Sequence, residues 1–215
     1  EPPNADKWLS ILESHLRREE RLKVWGALAH HLRWLNCADH DLAQRFLLNL
    51  FRAYPGLCDF KTGVLLIANS QHWISAHTAN ALLHMLFATR SLFSAQASGE
   101  ILMLRFVLKD DEQHTLLEEL ERILTRTREN SFSIRCRIGI AYATAELWTE
   151  ADFRTKAHPY LLRLLGDHDE NVVAAAARIF SERKLKPDAQ SREVLAYVAE
   201  RPNLLRQIAN DDLGE

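Results

Sequence analysis

The spacing of apolar residues predicts helices along most of the chain. One apolar stripe has members three and four residues apart: Leu22, Trp25, Leu28, Ala29 and Leu32. A second stripe repeats this spacing: Leu116, Leu117, Leu120, Ile123 and Leu124. No segment of any length alternates apolar and polar residues with a period of two. The pattern therefore predicts an all-α fold of about ten helices joined by short turns.

Capping residues and helix breakers predict several helix boundaries. Asp39 precedes the helix that contains Leu42 and Phe46, and its carboxylate is suited to cap the first turn. Pro55 and Gly56 end that helix. In the C-terminal half, the periodicity predicts helices over residues 132–148, 150–165, 171–183 and 188–200.

Two segments of the C-terminal half resemble each other. Ile134 and Arg135 lie on the first turn of a helix that follows a polar loop, and Val172 and Val173 lie at the same place in the next helical hairpin. The separation of 38 residues is typical of solenoid repeats built from paired helices. We therefore expect one continuous domain over residues 1–215.

The stretch YLLRLLGDHDENVVAAAARIF, residues 160–180, resembles a HEAT repeat or the shorter HEAT-like variety. That family has a helix with spaced leucines, a turn that contains Asp, and a second, alanine-rich helix that begins Val-Arg. The matching residues are Leu161, Leu162, Leu164, Leu165, Asp167, Asp169, Val172 and Ala175 to Ala177. The sequence departs from the family at Val173, where Arg is usual. The earlier copy keeps Arg135 but has Asn130 and serines in place of the Asp.

This resemblance implies a right-handed α-solenoid of antiparallel helix pairs, a HEAT-like or ARM-like superhelix. Such folds bind extended partners, chiefly proteins, along a groove. The chain opens EPPNADKW without Met, which is expected either of a piece cut from a longer protein or of a chain from which a tag was trimmed. Other domains of such a protein are therefore candidate partners.

Composition and charge restrict the class of protein. Seven Gly and six Pro are few for 215 residues, which favours long helices over sheets with tight turns. The net charge of −2 argues against attraction of the whole surface to nucleic acid or anionic lipid, although it permits a local basic patch. No apolar run approaches the roughly 18 residues that a membrane helix needs. Cys37, Cys58 and Cys136 are predicted to be reduced, buried thiols, so we expect a cytoplasmic protein, or a nuclear one in a eukaryote.

Asp167, His168 and Asp169 are residue types that metal sites and acid–base centres use. Three consecutive side chains cannot converge on one ion, however, and the spacing fits no EF-hand. A helix boundary accounts for the stretch better, with Gly166 ending one helix and Asp169 capping the next. His168 is the residue that capping does not require.

The remaining motifs do not support catalysis. A second cluster with metal-ligand residue types fits no closed zinc pattern: His30, His31, Cys37, His40 and Asp41. The sequence contains no P-loop, no G-x-G-x-x-G and no G-x-S-x-G. We therefore predict no catalytic residue, no cofactor and no metal.

One basic stretch and three tryptophans are candidate binding residues. The basic region consists of Arg122, Arg126, Arg128, Arg135 and Arg137, around one interhelical turn. These side chains could bind phosphates or acidic peptides. Alternatively, Arg135 pairs with the acidic turn of a neighbouring repeat and the rest are solvated, with Arg122 and Arg126 able to pair with nearby glutamates, namely Glu118, Glu119 or Glu121. The candidate aromatic anchors for a partner are Trp34, Trp73 and Trp148.

Together these observations predict a non-catalytic protein–protein interaction or scaffold module that uses the solenoid groove. The alternative is a nucleic-acid-binding protein similar to the HEAT-like DNA glycosylases, which would use the basic region. A metal hydrolase of the His-Asp type is a third and weaker hypothesis.

Overall fold

A computed structural model of the protein describes residues 4–109, 113–125, 130–181 and 185–212. These residues form twelve α-helices and two 3₁₀ helices, and none of them lies in a strand. The α-helices are α1 (Ala5–His15), α2 (Leu22–His31), α3 (His40–Ala53), α4 (Lys61–Ser70), α5 (Ala76–Phe87), α6 (Leu92–Leu108), α7 (Gln113–Leu124), α8 (Ser131–Leu147), α9 (Ala151–Leu165), α10 (Glu170–Ser181), α11 (Ala189–Ala199) and α12 (Pro202–Asp212). The 3₁₀ helices are Leu32–Cys37 and Pro55–Asp59. The all-α prediction is confirmed.

Helix boundaries follow the predicted capping residues closely. The Asp39 carboxylate accepts a hydrogen bond from the Leu42 amide at 2.9 Å, which makes Asp39 the N-cap of α3. Asn130 caps α8 and Asp188 caps α11 in the same way. Helices α8 to α11 each begin and end within two residues of the predicted bounds.

The chain divides into two compact units, Glu1–Ser98 and Gly99–Glu215. The prediction of one domain over residues 1–215 stays a prediction. Within the described residues, none of the helices combines the length and apolar character that crossing a bilayer requires.

The core of the first unit lies around α3. Phe46, Leu47 and Phe51 are fully buried there, and α3 packs against α1 and α5. Trp25 of α2 stacks on Tyr54, with 5.7 Å between the ring centroids. The Tyr54 hydroxyl bonds to the Leu16 carbonyl at 2.7 Å, so this ring ties the α1–α2 connection to the end of α3.

The core of the second unit lies around α8, which is buried on nearly every side. Helix α10 packs against α8, and its small side chains Ala175, Ala176 and Ala177 are buried. Because these residues lack bulk, the two helix backbones can approach closely. The alanine run of the sequence is therefore a packing surface.

Two glycines lie where another backbone leaves no room for a side chain. A Cβ atom at Gly99 in α6 would lie 2.0 Å from the Cys136 carbonyl oxygen, and one at Gly63 in α4 would lie 2.1 Å from the Leu57 carbonyl oxygen. Neither oxygen can retreat without moving a helix, so both positions require glycine. A Cβ at Gly26 in α2 would instead meet only Thr62 Oγ1, at an ordinary 3.8 Å.

We predict that Gly63→Ala and Gly99→Ala each lower the free energy of unfolding by about 1–3 kcal/mol or more, because the added methyl group overlaps a carbonyl oxygen. The matched control is Gly26→Ala, which should raise stability by about 0.5–1 kcal/mol through helix propensity. Urea unfolding followed by circular dichroism measures all three changes. Equal effects at the three positions would show that the close backbone approaches are not rigid.

Candidate functional site

The acidic stretch at residues 167–169 forms the turn between α9 and α10. Asp169 accepts hydrogen bonds from the amides of Asn171 and Val172, at 3.0 and 3.3 Å. Asp167 accepts a bond from the Asp169 amide at 3.0 Å. The predicted helix cap is therefore confirmed. His168 points outward with 66% of its side chain exposed.

Asp167 also forms an ion pair with a buried arginine of α8. The side chains of Arg137 and Asp167 are only 2% and 9% exposed. Arg137 Nε lies 2.8 Å from Asp167 Oδ2, but the Nε–H bond does not point straight at that oxygen. Arg137 Nη2 donates to Asp167 Oδ1 at 3.3 Å, and Nη1 donates to the Ser133 hydroxyl at 3.3 Å. These bonds hold the α9–α10 turn against α8.

The sequence predicts that Arg135 pairs with an acidic turn, but Arg137 forms that ion pair. Arg135 itself is exposed. Residues two apart on a helix point about 200° apart, so only one of these two can face the core. The sequence signal was the position of Arg137 on the apolar stripe that includes Ile140 and Ala141, both fully buried.

A second buried arginine repeats this arrangement one helix further along the chain. Arg154 of α9 forms an ion pair with Asp188, the residue that caps α11 through the Ser191 amide at 2.8 Å. Arg154 Nε also donates to the Trp148 carbonyl at 2.9 Å. Sequence reasoning missed Arg154, although it shares an apolar stripe with Ala157. Each pair thus joins a buried arginine to the aspartate that organises a later turn.

Of the predicted basic region, the structure describes Arg122, Arg135 and Arg137. Arg122 donates from Nε to Glu119 at 2.7 Å, as predicted, and this hydrogen bond raises the pKa of Arg122. Arg137 is buried in its ion pair, whereas Arg135 is exposed. Arg126 and Arg128 lie outside the described residues. Two of the five guanidinium groups are therefore already bonded to carboxylates.

The predicted aromatic anchors differ in their exposure. Trp148 lies beneath the Arg154 guanidinium at the end of α8 and is fully buried. It therefore cannot contact a partner. Trp34 and Trp73 are half-buried. Trp8, which was not among the predicted anchors, is 58% exposed on α1. The next residue, Leu9, is fully buried. Adjacent residues on a helix point about 100° apart, so the burial of Leu9 turns Trp8 away from the core.

One of the three cysteines differs from the prediction of burial. Cys58 and Cys136 are buried, as expected, but Cys37 is exposed at the end of the first 3₁₀ helix. Burial, together with the charge of Asp59, raises the pKa of Cys58 to about 12. None of the three forms a disulfide. Among the described residues, no three His, Cys, Asp or Glu side chains are grouped to hold a metal ion.

The first unit contains an open groove between α2 and α4, with a volume of 420 Å³. Leu22, at the start of α2, lies beside Gly56 of the second 3₁₀ helix, because a Cβ atom added at Gly56 would be 3.1 Å from the Leu22 side chain. The first 3₁₀ helix, which follows α2, contacts α4. These contacts show that α2 and α4 run in the same direction. Such an arrangement is expected where corresponding helices of successive hairpins lie side by side.

The groove combines basic, polar and apolar side chains. Its lining residues are Ala29, His30, His31, Arg33, Thr62, Leu65, Leu66 and Asn69. Ala29 and Leu66 are buried and form the floor, whereas His30, His31 and Arg33 are exposed along one wall. Leu65 is 41% exposed on the other wall. We call this surface the α2–α4 groove.

Comparisons with protein-family models, with curated proteins and with solved structures find no match for this chain.

The ion pair predicts a sharp difference between two neighbouring arginines. Arg137→Met should lower the free energy of unfolding by about 3–5 kcal/mol, because it leaves the Asp167 carboxylate without its buried partner. The matched control Arg135→Met, at an exposed position, should change stability by less than about 0.5 kcal/mol. Urea unfolding curves measure both. A small loss for Arg137→Met would mean that water replaces the guanidinium.

Proposed function

We propose that this chain is a non-catalytic protein-interaction module built from stacked helical hairpins similar to HEAT repeats. The α2–α4 groove is the observation that carries the proposal. Two parallel helices present side chains to an open channel there, which suits an extended partner. We propose a cytoplasmic or nuclear setting with it.

The hairpin formed by α9 and α10 supports the HEAT-like part of the proposal. Leu161, Leu164 and Leu165 of α9 are buried, and α10, whose alanines Ala175 to Ala177 are buried, packs against α8. The turn aspartate Asp167 binds a buried arginine of the preceding helix. A bond from each hairpin to the next is what a stack needs in order to hold its repeats in register.

Exposed apolar side chains support a protein as the partner. Leu65 is exposed in the groove, and Trp8 is exposed on another helix of the same unit. Large apolar side chains that folding leaves in solvent are the residues that a protein partner buries most favourably. Either residue could therefore anchor a partner.

Capture of partners from cell extract tests this proposal. Leu65→Asp should reduce capture of a specific partner by about tenfold or more, because a carboxylate would replace an apolar contact. Leu195→Asp is the matched control, since Leu195 is 48% exposed on α11 and does not line the groove. Quantitative mass spectrometry of the captured proteins gives the ratio. A protein set that is unchanged by Leu65→Asp would contradict the proposal.

Nucleic-acid binding is the second candidate, and the exposed Arg135 is the observation that favours it. In this case the protein should bind duplex DNA at low salt, and Arg135→Glu should weaken binding and reduce the slope of log affinity against log salt by about 1. Arg90→Glu, an exposed loop position, is the control. Fluorescence anisotropy with a labelled duplex measures both slopes. The candidate fails if no binding occurs at low salt.

A further inference from the structure

We infer that the α2–α4 groove binds an acidic peptide segment, whose carboxylates bond to His30, His31 and Arg33 while an apolar side chain packs on Leu65. This inference rests on the proposed function, because it names the chemistry of the partner that the groove receives.

The charge of the groove selects an acidic partner. Arg33, His30 and His31 lie on one wall, and the lining includes no aspartate or glutamate. The two imidazole rings meet edge to face, with 5.2 Å between their centroids. Hydrogen bonds from arginine to carboxylates are about twice as strong as neutral ones, and an imidazole N–H can also donate to a carboxylate. An acidic segment would therefore meet complementary charge, and a basic one would be repelled.

The polar side chains of α4 add hydrogen-bonding capacity opposite the basic wall. Thr62 lies near the start of α4 and Asn69 near its end, and both line the groove. Their hydroxyl and amide groups can donate to carboxylate or backbone oxygens. A peptide bound here would thus have polar contacts on both walls.

The length of the groove suits a short extended segment. On α4 the lining runs from Thr62 to Asn69, which corresponds to about 10 Å along the helix. An extended peptide covers that distance with about three residues, at roughly 3.3 Å per residue. Alternate side chains of such a peptide point in opposite directions. One set could therefore meet the basic wall while the other meets Leu65.

The mixed lining favours a peptide over a phosphate-bearing ligand. A free phosphate would use the cations and leave Leu65 in solvent. Affinity for a nucleic acid backbone grows with the number of phosphates that Lys and Arg neutralise, whereas Arg33 is the one Lys or Arg among the described residues that line the groove. An acidic peptide with an apolar residue uses both features at once.

Fluorescence anisotropy with a labelled eight-residue peptide of alternating Glu and Leu tests the inference. The peptide should bind at low salt and weaken as salt is added. The double variant His30→Glu with Arg33→Glu should lose at least about tenfold in affinity, and Leu65→Asp should also weaken binding. Arg90→Glu, in the same unit but outside the groove lining, should stay within about twofold of wild type. Circular dichroism of each variant checks that it folds.

Two further probes distinguish the alternatives. A peptide of alternating Gln and Leu should bind at least about tenfold more weakly, and equal binding would overturn the role of charge. Inorganic phosphate should compete only as added salt does. If phosphate displaces the peptide at concentrations similar to that of the peptide itself, the groove is a small-anion site and the inference is wrong.

The outcome can be separated from that of the proposed function. If the acidic peptide does not bind but Leu65→Asp still removes a captured partner, the groove binds proteins and the acidic chemistry is wrong. If the peptide binds with the expected variant pattern but capture is unchanged by Leu65→Asp, the site stands and the proposed function fails.

Discussion

The buried ion pair between Arg137 and Asp167 is the constraint on which the second unit depends. A guanidinium group that is 2% exposed has lost its water, so it needs a carboxylate in a fixed place. Asp167 supplies that carboxylate and also bonds to the Asp169 amide, within the turn that starts α10. The pair of Arg154 with Asp188 repeats the connection from α9 to the start of α11. Asp167 and Asp188 therefore both hold helices together through buried arginines.

These bonds explain why residues 167–169, whose side chains are of the types found in metal sites and acid–base centres, have a structural role. The Asp167 and Asp169 oxygens accept bonds from backbone amides, and Asp167 also holds an arginine. The candidate binding sites are therefore the surfaces that the helices leave exposed to solvent. Among these, the α2–α4 groove places three basic side chains beside an exposed leucine, and this arrangement underlies both the proposed function and the proposed acidic partner.

Much of the fold could be predicted, and much less of the candidate sites. Apolar spacing located α8 to α11 within two residues, and Asp39 and Asp169 were identified as caps. The basic region was found as a run of arginines, but the pattern did not show that Arg137 turns inward. The sequence pattern does not indicate the groove, because His30, His31 and Arg33 form only one of its walls. Its other wall comes from residues about 30 positions later.

The sequence by itself determined the helices and their caps, because these depend on contacts between residues at most four positions apart. The tertiary structure alone decided which arginine is buried, which tryptophan is hidden and which helices lie side by side. Arg137 and Asp167 are 30 residues apart, so only the packing of α8 against the α9–α10 turn brings them together. The same reason applies to the groove, whose walls come from two helices that α3 separates in the chain.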